Sequence, residues 1–371
     1  MTSSNPSSYF ATLDDYARKA DSLFNAWRSG DEAAAWRFKW RHPDFRSRPV
    51  AEVRTAPLEP ADARLVIARE QELGSWEALA EFVERVGRDP NVRRLEAAAE
   101  AVVTGDLETL RSMLRDDPEL IRRQSTRRHR ATLLHYIAAN GVEEIRQTTP
   151  PNAVDVAHTL LAAGAEVDAL AEAYGTRCTT MNLLASSAHP AAAGLQTLLA
   201  ETLADAGATL VASNSESESP ILTALAFGYL DTARALARRV PPPDDLAVAA
   251  GLGLIEDAAR LLPPAASRRR QIALALAAQH GHAEVVRLLL DAGEDPNRFN
   301  PERFHAHSTP LHQAVLAGHE EVVRLLVERG ARPDVRDTLY QGTPLGWAVH
   351  GGQSVIAEFL RSLGEGKTSI D

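Results

Sequence analysis

Histidines are concentrated in the last third of this 371-residue chain, where they are the residues best suited to bind a metal. His305 and His307 form a His-x-His pair. Alternate residues of an extended segment point to the same face, so their two imidazoles could chelate zinc or iron. His282 and His319 each follow a glycine between two predicted helices, which is an ordinary structural position. We therefore interpret the histidines as structural or surface residues and predict neither a bound metal nor a cofactor.

A second set of residues could support acid–base catalysis. Glu143, Glu144 and Arg146 lie in a segment near 141–153, and His189 lies in another near 186–195; both segments interrupt the helical pattern. If the segments adjoin, these four residues could form a polar pocket, and a carboxylate with a histidine is the minimum for such catalysis. Neither a nucleophile elbow nor a Gly-rich phosphate loop accompanies them. An enzyme, or a small-molecule-binding or metal-binding protein, that uses this pocket or the His305/His307 segment is the alternative function.

Basic residues cluster at two places. Residues 122–130 contain five arginines and no acidic residue, and residues 36–54 mix aromatic with basic side chains. Either cluster could contact phosphate or stack a base. The formal net charge of −10 argues against a general binder of nucleic acid or of anionic membranes, because phosphate affinity depends on cationic surface. An anionic protein partner, or a solvated finger, is the simpler interpretation of both clusters.

Composition predicts an all-α protein in the cytoplasm. Hydrophobic residues make up 44% of the chain, and much of this content is alanine and leucine, which are strong helix formers. Cys178 is the only cysteine, so no intrachain disulfide can form and a reducing compartment is the natural setting. The first residues do not resemble an export signal, and no apolar run reaches the roughly 18 residues of a membrane span.

The elements that position all these residues repeat along the chain. Residues 277–293 and residues 314–330 are near copies whose starts lie 37 residues apart. Two Thr-Pro-Leu openings, at Thr309 and Thr343, lie 34 residues apart. A repeat of this length is typical of stacked helix pairs, which present an extended surface to a partner and not one deep catalytic cleft.

Residues 309–331 resemble an ankyrin repeat. Thr309 suits the helix N-cap and Pro310 the first helical position, and Gly318 and Gly330 suit the ends of the two helices. The resemblance implies that His312 hydrogen-bonds within its own turn. Residues 61–76 resemble a helical region found before the repeats in bacterial ankyrin repeat proteins of uncharacterised function, and this family implies partner binding without naming an activity.

We therefore predict an all-α, ankyrin-repeat solenoid of about eight helix pairs with an N-terminal helical module. The predicted segments are a disordered N-terminus at 1–8, the helical module at 9–91, the repeat array at 92–365 and a frayed C-terminus at 366–371. The leading functional prediction is a scaffold that binds a protein partner without catalysing a reaction.

The extended finger before each first helix is the predicted contact region. The finger that begins at Asn297 is three residues longer than the one that begins at Asp334, and it carries aromatic and imidazole groups that we expect to be exposed. Arginine and tyrosine are enriched in binding hot spots. The predicted partner-binding residues are those that precede first helices: Arg127, Arg128, Arg130, Tyr174, Arg177, Phe304, His305, His307, Tyr340 and Gln341.

Overall fold

The computed structural model describes residues 11–211 and 219–365, with side chains through residue 363. The predicted terminal segments 1–8 and 366–371 lie outside the described residues. The chain divides into two compact units, one ending at Thr209 and the other beginning at Leu210. None of the described helices has both the length and the apolar character needed to cross a membrane.

The first unit begins with five α-helices that share a hydrophobic core. Tyr16, Phe38, Ile67 and Leu79 are buried at its centre. Ser75 caps the fifth helix, since the Ala78 N–H donates to Ser75 Oγ at 3.3 Å. The elements are α1 (Leu13–Arg28), α2 (Glu32–Arg41), a 3-10 helix (Pro43–Phe45), α3 (Val50–Arg54), α4 (Pro60–Glu70) and α5 (Trp76–Arg88).

Three helix pairs complete the first unit, and the second of them is irregular. Its first helix is a 3-10 helix, because Ala139 turns the chain at φ 47° into the inserted segment. The elements are α6 (Pro90–Thr104), α7 (Leu107–Asp116), 3-10 helices at Pro118–Arg122, Leu133–Ala138 and Glu144–Arg146, α8 (Ala153–Ala162), α9 (Thr180–Ala185), α10 (Ala188–Ala192) and α11 (Gln196–Asp205).

A two-stranded hairpin forms the finger of the third pair. Strands β1 (Leu170–Ala173) and β2 (Thr176–Thr179) are antiparallel, with Leu170 opposite Thr179. Tyr174 and Gly175 make the turn, both with positive φ. The hairpin therefore presents Tyr174 at its tip.

The described part of the second unit contains five helix pairs, and one hydrophobic core runs through the last four of them. Alanine, leucine and valine from successive pairs fill it, as the composition predicts. With the three pairs of the first unit, these match the eight that were predicted. The elements are α12 (Pro220–Ala226), α13 (Leu230–Ala237), α14 (Leu246–Leu252), α15 (Ile255–Leu261), α16 (Ser267–Gln279), α17 (Ala283–Asp291), α18 (Pro310–Leu316), α19 (Glu320–Glu328), α20 (Pro344–His350) and α21 (Ser354–Glu365).

Histidine side chains form structural hydrogen bonds in the repeats of both units. His312 Nδ1 accepts the backbone N–H of Thr309 at 3.3 Å and lies 2.9 Å from its hydroxyl, which confirms the predicted bond within the turn. Thr132 and His135 repeat the same arrangement in the first unit. His319 Nε2 donates to the Gln279 carbonyl of the preceding pair at 3.0 Å. Gly281 is required beside it, because a Cβ there would lie 2.6 Å from the His319 ring.

Candidate functional site

The predicted partner-binding residues divide between the two units. Five of them belong to the first unit, between Arg127 and Arg177, and five belong to the second, between Phe304 and Gln341. Each group is described within its own unit.

The interior of the first unit holds a network of ion pairs. The Glu96 carboxylate lies 3.0 Å from Arg127 Nη2 and 2.7 Å from Arg146 Nη1. Glu143 Oε1 lies 3.1 Å from Arg146 Nη1 and also contacts Arg127 Nε. All four residues are at most 2% exposed. Two cations and two anions thus balance each other away from solvent.

Neutral groups complete the network. Arg127 Nη1 donates to the Gln71 carbonyl at 2.7 Å, and its guanidinium lies over the Phe82 ring with the central carbon 4.0 Å from the ring centroid. His129 Nδ1 accepts the Ala131 N–H at 2.9 Å, so its Nε2 is the nitrogen that faces Glu143, at 3.4 Å. The network therefore joins the N-terminal helices to the repeats.

The opposite charges in the network stabilise each other's ionised forms. Burial alone would raise the pKa of Glu143, but the Arg127 and Arg146 guanidiniums hold that pKa well below its usual value. Burial alone would lower the pKa of Arg146, and Glu96 and Glu143 raise it instead. Glu143 is thus an anion and not a proton-transfer group at neutral pH.

The predicted acid–base pocket must therefore be corrected. The 3-10 helix Glu144–Arg146 turns Glu143 and Arg146 inward, where they neutralise Arg127 and Glu96, so neither can line a solvent-accessible pocket. Glu144 instead pairs with Arg41 at 2.9 Å on the surface, and His189 is exposed on α10. The two inserted segments do start side by side, because the Ser187 hydroxyl donates to the Ala139 carbonyl at 3.4 Å.

Arg127 also requires a correction, because it cannot contact a partner. Its side chain is 1% exposed, and its guanidinium pairs with Glu96 and Glu143 inside the network. The next residue, Arg128, is exposed, as are Tyr174 and Arg177. Arg130 is exposed too, and its Nη2 donates to Gln124 Oε1 at 3.0 Å.

Arg128, Tyr174 and Arg177 line a cleft of about 870 Å³ within the first unit. Residues of the N-terminal helices and their connections also line it, together with Gly141 and Gln147 of the inserted segment. The residues that sequence reasoning did not assign to this cleft are Trp40, Arg41, Arg46, Arg69, Glu72 and Glu172. The basic and aromatic content of residues 36–54 indicated a possible binding surface. No local sequence pattern, however, shows that this segment lies near the hairpin finger of the third pair.

In the second unit, the longer finger folds back onto the protein. Phe304 is only 2% exposed, so the expectation of an exposed aromatic group at this position is wrong. His305 has φ 61°, and its Nε2 donates to the Ala226 carbonyl at the end of α12 at 2.8 Å. The longer finger thus reaches the end of α12, and its phenyl ring is buried.

The next finger holds an exposed tyrosine in a fixed position. Asp337 is fully buried and accepts backbone N–H groups from Leu339 at 2.9 Å, Tyr340 at 2.5 Å and Gly342 at 2.7 Å. It also accepts Trp347 Nε1–H at 3.0 Å. Burial alone would raise the pKa of Asp337, and these hydrogen bonds lower it below its usual value. The Tyr340 side chain at this tip is 58% exposed.

His307 joins the two fingers. Its carbonyl accepts the Thr338 N–H at 2.9 Å, and its ring centroid lies 6.1 Å from that of Tyr340 and 5.8 Å from that of Trp347. The His305 and His307 rings are 6.1 Å apart and nearly perpendicular, not side by side on a strand. Within residues 11–211 and 219–365, no group of three metal-binding side chains is placed to hold an ion.

Comparison with known proteins agrees with the repeat geometry of the second unit. The family described as ankyrin repeats (3 copies) matches residues 246–337 and 274–371. A search of curated proteins gave no match. The matched region contains the long finger and the Asp337 finger. The C-terminal third of this all-α chain therefore matches the ankyrin-repeat family model.

Proposed function

We propose that the chain is a protein-binding scaffold whose partner docks on the fingers and first helices of residues 246–371, with Tyr340 as the central contact. Ankyrin repeats are in general modules for binding proteins, and stacked repeats present extended binding surfaces. The observation that carries the proposal is the rigid presentation of Tyr340 by the buried Asp337.

Rigidity matters because a contact residue that is already ordered loses little conformational entropy on binding. Tyr340 is exposed, yet its backbone is held by Asp337 and its ring lies beside that of His307. Gln341 follows with φ 58°, in a region that non-glycine residues seldom occupy and that is common at binding loops.

The exposed surface near the tip suits a protein partner. Tyr340, Gln341 and the half-buried His307 offer aromatic area with hydrogen-bonding groups. The first helices add exposed apolar side chains at Leu316 and Val349. Such a mixture is typical of interface centres.

We propose the remaining exposed candidates as a second contact region for the partner. Arg128, Arg130, Tyr174 and Arg177 lie on the fingers of the first unit. We place the protein in the cytoplasm of a bacterium: the single Cys178 suits a reducing compartment, and nearly all of the basic residues are arginines.

Site-specific photocrosslinking tests the proposal. A crosslinking amino acid at position 340 should capture a discrete protein partner from native lysate, and one at Arg287, a partly exposed position on α17, should not. With that partner purified, Tyr340→Ala should weaken binding about tenfold or more, and Arg287→Ala should change it by less than about twofold. Equal capture at both positions, or undiminished binding by folded Tyr340→Ala, would contradict the proposal.

A further inference from the structure

The cleft of the first unit concentrates positive charge in a protein whose net charge is negative. Five arginines line it against two glutamates, whereas the whole chain carries a formal charge of −10. The arginines come from both sides: Arg41, Arg46 and Arg69 from the N-terminal part, and Arg128 and Arg177 from the fingers. Tertiary folding has thus assembled a local cationic surface.

Three of these guanidiniums are available to a ligand. Arg41 is paired with Glu144 at 2.9 Å, and Arg46 Nε donates to the Trp40 carbonyl at 3.4 Å. Among the residues that the structure describes, no carboxylate lies within ion-pair distance of Arg69, Arg128 or Arg177.

Mutual repulsion accompanies this arrangement. Burial lowers the pKa of Arg69, and the positive charges of Arg128, Arg46 and Arg41 lower it further, against a smaller opposing effect of Glu72. An anion placed among these groups would relieve the repulsion and gain charge-assisted hydrogen bonds.

Two aromatic rings stand beside the arginines. Trp40 is 46% exposed and Tyr174 is 68% exposed. The Tyr174 hydroxyl donates to Asn140 Oδ1, which tethers the ring at the hairpin tip. An exposed, tethered ring of this kind is a suitable platform for stacking a planar group.

The lining is held in place by the buried network. The Arg128 N–H donates to the Glu72 carbonyl at 3.1 Å, which joins two of the lining segments, and the Glu172 N–H donates to the His129 carbonyl at 2.7 Å. Arg127 and His129, which flank Arg128, are both contacts of the Glu143 carboxylate. The cleft is therefore preformed, which lowers the cost of binding.

We propose that this cleft binds a nucleotide, with the oligophosphate between Arg69, Arg128 and Arg177 and the base stacked on Tyr174 or Trp40. The volume of about 870 Å³ lies within the range of small-molecule sites. Guanidinium groups match phosphate oxygens in charge and in hydrogen-bonding geometry. This site is separate from the finger surface around Tyr340. It shares Arg128, Tyr174 and Arg177 with the second contact region of the proposed function, so a bound nucleotide would compete with a protein partner at that region only.

Calorimetric titration of the full chain at low ionic strength tests the proposal, with ATP and inorganic tripolyphosphate as probes. Both should bind, and ATP more tightly. Arg128→Glu with Arg177→Glu should weaken ATP binding about tenfold or more. The matched control is Arg115→Glu with Arg122→Glu, which makes the same charge change at exposed positions outside the cleft and should alter binding by less than about twofold.

A second variant separates the base from the phosphates. Tyr174→Asn removes the ring while keeping a residue that tolerates the left-handed backbone at φ 55°, so it should weaken ATP but not tripolyphosphate. If the double glutamate variant does not fold, Arg177→Gln on exposed β2 serves instead. Absence of binding by both probes, or equal losses in the cleft and control variants, would overturn the site. Equal effects of Tyr174→Asn on the two probes would overturn the nucleotide assignment.

Discussion

Arg127 Nη2 and Glu96 Oε2 lie 3.0 Å apart in the interior of the first unit, although 31 residues separate them in the chain. Glu96 belongs to α6, and Arg127 lies in the segment that leads to the second helix pair. Glu143 and Arg146 of the inserted segment close the same network. One ion-pair network thus joins the inserted segment, the finger before the second helix pair and the N-terminal helices.

Removing one charge from this network should destabilise the protein strongly. Glu143→Gln leaves Arg127 and Arg146 buried with one carboxylate in place of two, and we expect a loss of about 3 to 5 kcal/mol in the free energy of unfolding. Arg85→Ala breaks an exposed pair with Glu81 and should cost less than about 1 kcal/mol. Chemical denaturation of both variants measures the difference. Similar small losses would show that the buried network contributes little.

Removing the buried phenyl ring of the long finger should also destabilise the protein. Phe304→Ala should cost about 3 kcal/mol or more, because the side chain is 2% exposed. Phe227→Ala is the matched control, since that ring is 50% exposed, and its cost should be well below half as large. Thermal unfolding compares the two. Loss of partner binding by Phe304→Ala without a fall in the unfolding temperature would show that Phe304 contacts the partner.

The turn at Thr309 should respond to loss of its cap. Thr309→Ala should lower the free energy of unfolding by about 1 kcal/mol. His305→Ala should cost a comparable amount, about 1 kcal/mol, because it breaks the bond to the Ala226 carbonyl. His307→Ala should have a smaller effect on stability, since its side chain makes ring contacts at the surface. A larger loss for His307→Ala than for Thr309→Ala would reverse this order.

Asp337 should link stability to partner binding. Asp337→Asn removes a carboxylate that accepts four N–H groups, so we expect a loss of about 1 to 3 kcal/mol together with weaker binding at Tyr340. The pKa of Asp337 is lowered by folding, so its contribution is complete above its unfolded pKa and disappears as the pH falls through the folded value. Denaturation at neutral and acidic pH should show the variant and the wild type converging in acid. A constant difference at every pH would contradict this assignment.

Acid should also act through the buried His135 and the partly buried His280. Burial lowers the pKa of His135 and of His280 to about 4, from 6.5. Both rings are neutral in the fold, whereas the unfolded chain binds protons below 6.5, so stability should fall between pH 6.5 and 4. Each group can contribute up to about 1.4 kcal/mol per pH unit in that interval. His280→Gln should reduce the slope measured by denaturation, and His189→Gln on exposed α10 should not. An unchanged slope in His280→Gln would contradict the assignment.

The sequence by itself determined the features that depend on short-range geometry. Thr309, Pro310 and His312 form their cap because the three residues share one helical turn. The spacing of the apolar residues likewise determined the eight helix pairs, since each helix must bury one face against its neighbour.

Tertiary structure alone decided which charged residues are available for binding. Arg127 and Arg128 are adjacent and identical in type, yet one is buried and the other lines a cleft. The difference arises because Glu96 and Glu143 approach from other elements, and no local periodicity records that approach. Arg69 and Arg177 line the same cleft for a similar reason, and Arg41 pairs with Glu144, 103 residues away in the chain. Short-range patterns specify helices and caps, whereas electrostatic neighbours more than a hundred residues apart exist only after the chain has folded.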